Sequence, residues 1–251
     1  MTAGRWNGPL MGLLLLAAAA IAIGANVWKK ELRVAHVTTR GNAIVTRSEI
    51  MALAGIPADA KLFGVDLFAV RQRVEKNPFI RSASVNREAP DGIAITVEER
   101  RPVACLILEG MLMIDGDGFV LPAPHTDDTG DLPVLTGELP AAECVPGKTV
   151  TAPAVREALE ILTVAGEAGE DVSHLVSEIH VDGERDIILY TTEAGVPVIF
   201  GHGDTAAKIV MLQAFWKDVV AQRGPAELAS VDLRYADQIV ARWRNDAEAQ
   251  Q

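Results

Sequence analysis

The sequence predicts an α+β protein: one apolar N-terminal helix, then two folded units, the first small and mixed, the second mainly β with flanking helices. Three observations carry this. Leu10 to Val27 is an 18-residue run without a charge. From Val34 to Glu99 the pattern reads strand, helix, helix, strand, strand. From Pro102 onward short strand-like segments dominate, interrupted by two helical stretches. A chain of 251 residues has room for such an anchor and one or two compact domains.

The apolar run would span about 27 Å as a helix, close to the thickness of a hydrocarbon core. Trp6 and Trp28 flank it, where interfacial aromatics belong, and Lys29 and Lys30 follow. A cleaved signal peptide is the competing reading, with Ala22-Ile23-Gly24 and Ile23-Gly24-Ala25 as small-residue sites. The length of the run and its paired tryptophans favour an uncleaved anchor. Basic residues are denser on its C-terminal side, which by itself would place that side in the cytoplasm. Long domains are exported despite such flanks, and the rest of the chain reads as exported.

In the first unit, Val34–Arg40 reads as a strand ending at the turn pair Gly41-Asn42. Thr46-Arg47-Ser48-Glu49 has capping-box spacing, Ile50, Leu53 and Ala54 give an apolar face, and Gly55 stops the helix. Asp66 is a good N-cap for a second helix carrying Leu67, Val70 and Val74, which ends at Asn77-Pro78. Ile80–Arg87 and Ile93–Glu99 are strands joined by Ala89-Pro90-Asp91-Gly92, with Ile93, Ile95 and Val97 on one side. Two helices are expected on one face of a three-stranded sheet.

In the second unit, Val103–Leu108 and Met111–Ile114 are short strands, and Asp115-Gly116-Asp117-Gly118 is a hairpin turn into Phe119-Val120-Leu121. Pro122–Asp131 reads as a loop. Ala152–Ala165 reads as a helix with Val155, Leu159 and Leu162 inward. Strands follow at Val176–Val181, Ile187–Thr192 and Pro197–Phe200. Asp204 is placed to cap a helix running to about Val220, with Ile209, Leu212 and Phe215-Trp216 inward. Leu228–Leu233 and Ile239–Trp243 are the last strands.

Charge excludes some functions. Residues 1–33 carry Arg5, Lys29, Lys30 and Arg33 against Glu31, a net +3, so the other 218 residues hold −14 of the total −11. So acidic a portion is a poor match for nucleic acid, and also for lying on an anionic lipid surface. Cys105 and Cys144 are too few for a disulfide scaffold or a zinc site; two buried thiols are expected, with one disulfide as the alternative. No nucleophile, zinc or nucleotide motif is present. Gly201-His202-Gly203-Asp204 reads as a strand-to-helix turn rather than a phosphate cradle, and Asp115-x-Asp117-Gly as a turn rather than a calcium loop. His125 with Asp127 and Asp128 reads as a solvated polar loop, and the His174–His180 spacing matches no standard ligand geometry.

These residues resemble the FtsQ/DivIB family of bacterial cell-division proteins over essentially the whole chain. In the first unit the resemblance rests on Val37 to Asn42 ending in Arg-Gly-Asn, Asp66-Leu67-Phe68, Asn77 to Val85, Pro90-Asp91-Gly92-Ile93 and Val97 to Ala104. In the second it rests on Ile114-Asp115 with Gly118, Leu132 to Gly137, and Val231-Asp232-Leu233-Arg234-Tyr235 followed by Trp243. Gln238 departs from the pattern, standing where the family often has glycine.

The resemblance implies a cytoplasmic tail at 1–9, a single transmembrane helix at 10–28, a POTRA domain at 32–101, a β-domain at 102–245 and a flexible tail at 246–251. It implies a non-enzymatic divisome scaffold of the inner membrane. The bulk of the chain would be periplasmic and enriched at the division septum. Its partners would be FtsB-like and FtsL-like single-pass proteins, and through them it would position septal peptidoglycan synthesis, without cofactor, metal or small-molecule substrate. Arg185, Arg234, Tyr235, Asp237 and Trp243 are the expected partner-binding residues, since Tyr, Trp and Arg dominate interfaces and an open last strand can accept another. Packing at the sheet end is the plainer reading of Tyr235 and Trp243. The alternative function is a POTRA-type envelope chaperone or assembly protein that binds exported chains by strand addition.

An uncleaved anchor has a direct test. The mass of the membrane-purified protein is expected to include its N-terminus; a species lacking the first 24 or 25 residues would mark a signal peptide.

Overall fold

The computed structural model describes residues 8–108, 110–123, 131–183 and 186–244. They form two compact units, one ending at Arg100 and the other beginning at Arg101. Arg185, the His125–Asp127–Asp128 loop and the 246–251 tail lie outside the described residues.

The first unit opens with helix α1 (Gly8–Glu31). Its leucines touch little of the protein: Leu13, Leu14, Leu15 and Leu16 are 64–71% exposed. The expected 10–28 span falls on α1, where side chains are described without a gap only from Met11 to Ile21. Among the described residues no helix is long and apolar enough to cross a membrane.

The chain then enters strand β1 (His36–Arg40), helices α2 (Arg47–Ala54) and α3 (Leu67–Val74), and strands β2 (Ile80–Glu88) and β3 (Gly92–Glu99). β3 is the middle strand, parallel to β1 and antiparallel to β2. Ile93, Ile95 and Val97 of β3 are buried with Ile50 and Ala54 of α2 and Val70 and Val74 of α3, as the alternation predicts. Both helix starts form as read. The Thr46 hydroxyl accepts from the Glu49 amide while the Glu49 carboxylate accepts from the Thr46 amide, and Asp66 accepts from the amides of Phe68 and Ala69. Gly55 ends α2 in a left-handed conformation.

Two distant motifs meet at the end of β3. The Glu99 carboxylate accepts from the amides of Ala43, Ile44 and Val45 at 2.9, 2.7 and 2.8 Å. This satisfies the turn that leads into α2. Gly41, at φ +83°, lies where any side chain would strike the Val97 carbonyl. The Arg-Gly-Asn and Val-Glu-Glu segments therefore form one joint.

The second unit is a nine-stranded sheet. Its strands are β4 (Pro102–Ile107), β5 (Met111–Asp115), β6 (Val120–Leu121), β7 (Val134–Gly137), β8 (Val176–Asp182), β9 (Asp186–Thr191), β10 (Pro197–Ile199), β11 (Leu228–Asp232) and β12 (Val240–Trp243). The order across the sheet is β12-β11-β10-β9-β8-β7-β4-β5-β6. Helix α4 (Pro153–Ala168) buries Val155, Leu159 and Leu162, and a short α5 (Glu170–Ser173) follows. Helix α6 (Thr205–Phe215) buries Ile209 and Leu212, then passes into a π-helical turn at Trp216–Val220 and a last turn at Ala221–Arg223.

Three expectations change. Val134–Gly137 is a strand, parallel to both β4 and β8, which a four-residue segment after a loop did not reveal. The expected single helix from 205 to 220 is interrupted by the π turn. Asp204 stands at the start of α6, but its side chain makes no cap bond, because its backbone is left-handed (φ 52°) rather than extended. The carboxylate at that turn is Glu157 of α4, which accepts from the Gly203 amide at 2.6 Å and is paired with His202 Nδ1 at 2.7 Å. Cys105 and Cys144 are both buried and free, and burial raises both thiol pKa values above the ordinary range.

Replacing Glu99 removes the acceptor of three amides at once, one of them from the buried residue Val45. Glu99→Ala is expected to cost about 3 kcal/mol in urea unfolding of the first unit. Thr46→Ala, which removes one cap, should cost about 1 kcal/mol.

Candidate partner-binding edge

The last strand of the chain is also the outermost strand of the large sheet. Among the described residues β12 pairs only with β11, antiparallel, with Val231 opposite Ala241 and Asp232 opposite Val240. β11 is parallel to β10, with Val198 opposite Val231. Along β12 the side chains alternate as a half-buried strand should: Val240 and Arg242 are exposed, Ala241 and Trp243 turn inward.

The turn between these strands holds most of the expected site residues. Leu233 is fully buried and its amide donates to the Ile199 carbonyl at 2.9 Å, pinning the start of the turn. Tyr235 follows on the outside, 54% exposed. Asp237, also exposed, takes a left-handed backbone (φ 55°), so the position that favours glycine is 237, one residue before Gln238.

Arg234 has its guanidinium paired within the chain. Its Nε donates to Asp232 Oδ1 at 3.0 Å, its Nη2 to Asp232 Oδ2 at 2.7 Å and its Nη1 to Asp186 Oδ2 at 3.2 Å. Its own amide also donates to Asp232 Oδ1. The guanidinium therefore clips the end of β11 to the start of β9, a bidentate geometry that lysine could not reproduce. Hydrogen bonding to Arg234 holds the Asp232 carboxyl below its usual range. The stem of Arg234 passes over Gly201, where a Cβ would lie 2.7 Å from its Cγ. Asp186 and Gly201 belong to this clip, and the sequence alone held no signal linking them to Arg234.

Trp243 is a packing residue first. It is 9% exposed, sits in the main core, and carries the Arg223 guanidinium 3.8 Å above its ring. Arg244 donates to the Ala226 carbonyl at 2.9 Å. Exposed at this edge, besides Arg234, Ala236 and Gln238, are Tyr235, Asp237, Val240 and Arg242. The last two were missed, although the alternation Val240-Ala241-Arg242-Trp243 marks them. Arg185 lies outside the described residues. Among the described residues no group of three or more His, Cys, Asp or Glu could hold a metal ion.

A three-stranded βααββ unit followed by a long sheet with an open terminal strand defines a POTRA-bearing α+β protein. Residues 32–100 match the family description "POTRA domain, FtsQ-type", and residues 107–234 match "Cell division protein FtsQ/DivIB, C-terminal". A cell division protein FtsQ of Anaeromyxobacter sp. (strain K) is 33% identical over 230 residues, covering 90% of this chain and 77% of its own. That of Syntrophotalea carbinolica is 30% identical over 224 residues, covering 86% and 79%. That of Salinibacter ruber is 29% identical over 255 residues, covering 97% and 96%. The chain belongs to the FtsQ/DivIB family of cell-division proteins. The second family match stops at Arg234, so Tyr235 to Trp243 lie just beyond it.

The clip has a pH signature. A carboxylate whose pKa is lowered by folding contributes stability above its unfolded value, about 3.9 for Asp, and loses it as pH falls through the folded value. Asp232→Asn is expected to melt below the parent protein at neutral pH. The gap in melting temperature should shrink as the pH falls below about 4.

Proposed function

We propose that this chain is a single-pass inner-membrane scaffold of the divisome. In this reading residues 1–9 are cytoplasmic, 10–28 cross the membrane as part of α1, and the POTRA domain (32–101) and β-domain (102–245) are periplasmic. The protein recruits FtsB-like and FtsL-like partners at the septum and so positions septal peptidoglycan synthesis, without chemistry of its own. The membrane assignment is supported by a continuous helix over an uncharged apolar run in which Leu13 to Leu16 are largely exposed.

The observation that carries the partner assignment is the open edge of β12. An incoming extended segment adds to such an edge by backbone hydrogen bonds, and neighbouring side chains select it. Tyr235 is the exposed aromatic contact and Arg242 the cation for an acidic segment. Arg234 holds the turn that presents Tyr235, Asp237 shapes that turn, and Trp243 supports the strand from beneath. Arg185, adjacent in sequence to the turn's ion partner Asp186, completes the expected set.

The chaperone reading has one feature in its favour. A groove beside the outer strand β2 is lined by Leu67, Phe68, Arg71, Ser82 and Val85, with Phe68 exposed. A pull-down from membranes distinguishes the two readings: recovery of division proteins supports the scaffold, recovery of outer-membrane assembly factors the chaperone.

Two variants separate contact from support. Tyr235→Ala should weaken binding to an FtsB-like periplasmic segment by about 2 kcal/mol, roughly thirtyfold, with near-normal melting. Trp243→Ala should lower the melting temperature of the exported region by roughly 10 °C, since emptying an aromatic site costs about 3 kcal/mol or more. Normal binding by Tyr235→Ala would remove this edge from the partner site.

A further inference from the structure

The end of α1 is stapled into the first unit without a linker. The Leu62 amide donates to the Leu32 carbonyl at 2.8 Å and the Val34 amide to the Ala60 carbonyl at 2.9 Å, with Arg33 and Lys61 forming an antiparallel bridge. Ion pairs flank this joint: Lys61 with Glu31 at 3.0 Å and Arg33 with Asp59 at 3.5 Å. Lys61 to Gly64 is a tight turn closed by the Gly64 amide on the Lys61 carbonyl at 2.8 Å. Phe63 projects from it, 49% exposed, although its neighbour Leu62 is buried.

The direction of the chain sets the depth of this ring. In the antiparallel register Lys61 faces Arg33 and Leu62 bonds to Leu32, and the Lys61 ammonium reaches Glu31, the last residue of α1, so the Lys61–Gly64 turn lies beside the end of that helix. Glu31 lies four residues beyond Val27, the end of the apolar run, about 6 Å along a helix axis. The polar layer on each side of a bilayer is roughly 5–7 Å deep. The turn is also rigid: Arg87 Nε donates to the Leu62 carbonyl and Nη2 to the Val65 carbonyl, both at 3.0 Å, and its guanidinium lies 5.3 Å from the Phe63 ring centre. An aromatic ring backed by a cation, held at headgroup depth, has interfacial chemistry. The exported portion is acidic as a whole, yet this corner sets Arg33, Lys61 and Arg87 against Glu31 and Asp59.

We propose that the Lys61–Gly64 turn is a lipid-contacting element that seats the Phe63 ring in the headgroup layer of the membrane crossed by α1. This rests on the membrane assignment made above. The contact would hold the POTRA unit at a fixed height and tilt on the bilayer, a second attachment beside the helix.

The test uses the full chain in vesicles of phosphatidylethanolamine and phosphatidylglycerol, spin-labelled at one introduced cysteine: Leu14→Cys, Phe63→Cys or Ile44→Cys. Cys105 and Cys144 are buried with raised thiol pKa values, so the unsubstituted chain serves as the blank. Ile44 is as exposed as Phe63 and lies past the far end of β1. The expected result is a label at 14 reached by oxygen but not by a water-soluble nickel chelate. At 63, chelate collisions should fall severalfold below those at 44. A label at 63 as open to the chelate as that at 44, with 14 in lipid, overturns the proposal and leaves the anchor standing. A label at 14 open to the chelate overturns both. Equal shielding at 44 and 63, or shielding at 63 that disappears when lipid is added in excess to separate copies, also overturns the proposal.

Discussion

Two neighbouring parallel strands need a crossover between them, and in the C-terminal unit that requirement governs everything after β10. β10 and β11 run the same way, so the chain must leave the sheet, travel back along it and return. Gly201 and Gly203 make the exit, α6 and the π turn make the return, and Leu228 re-enters the core. The start of the crossover is tied by Lys208, a buried lysine whose Nζ donates to the carbonyls of Phe200 at 3.0 Å and His202 at 2.7 Å. Burying an ammonium group is costly unless its protons find acceptors, and here the strand end supplies them. The π turn shifts the phase of the helix, so that Val220 is buried as Leu212 is. After the crossover comes the β11–β12 hairpin, and among the described residues β12 lies at one edge of the sheet.

How much of this could be read in advance depended on how local the cause was. The Thr46–Glu49 box, the Asp66 cap and the Gly55 stop each lie within a few residues, and all formed as read. Alternation in Ile93 to Glu98 announced a strand with one buried face, although Ala94 is buried too because β3 lies between two others. The errors came where partners are distant. β7 is four residues whose strand character is conferred by β4 and β8 on either side. Asp204 has the residue type of a cap, but the left-handed turn in front of α6 is served by a carboxylate from another helix.

The candidate edge shows the same division. The strand itself was legible in the alternation of Val240 to Trp243. The intramolecular partners of its side chains were not. Arg234 resembles a free arginine until Asp186, 48 residues away, is seen beside it. Trp243 resembles an exposed anchor until the Arg223 guanidinium is seen covering it. A residue type commonly found at interfaces is equally suited to holding an interface up, and only the third dimension distinguishes the two uses.

An open strand invites any other open strand, including its own copy. β12 is four residues long and bears Arg242 near its middle, outside the core. Two copies meeting edge to edge in antiparallel fashion would bring one guanidinium close to the other across a short ladder, a repulsive pairing with few backbone bonds to offset it. A different chain with an acidic side chain at that level meets the opposite condition. The brevity and charge of this strand therefore disfavour edge-to-edge pairing of two copies through β12.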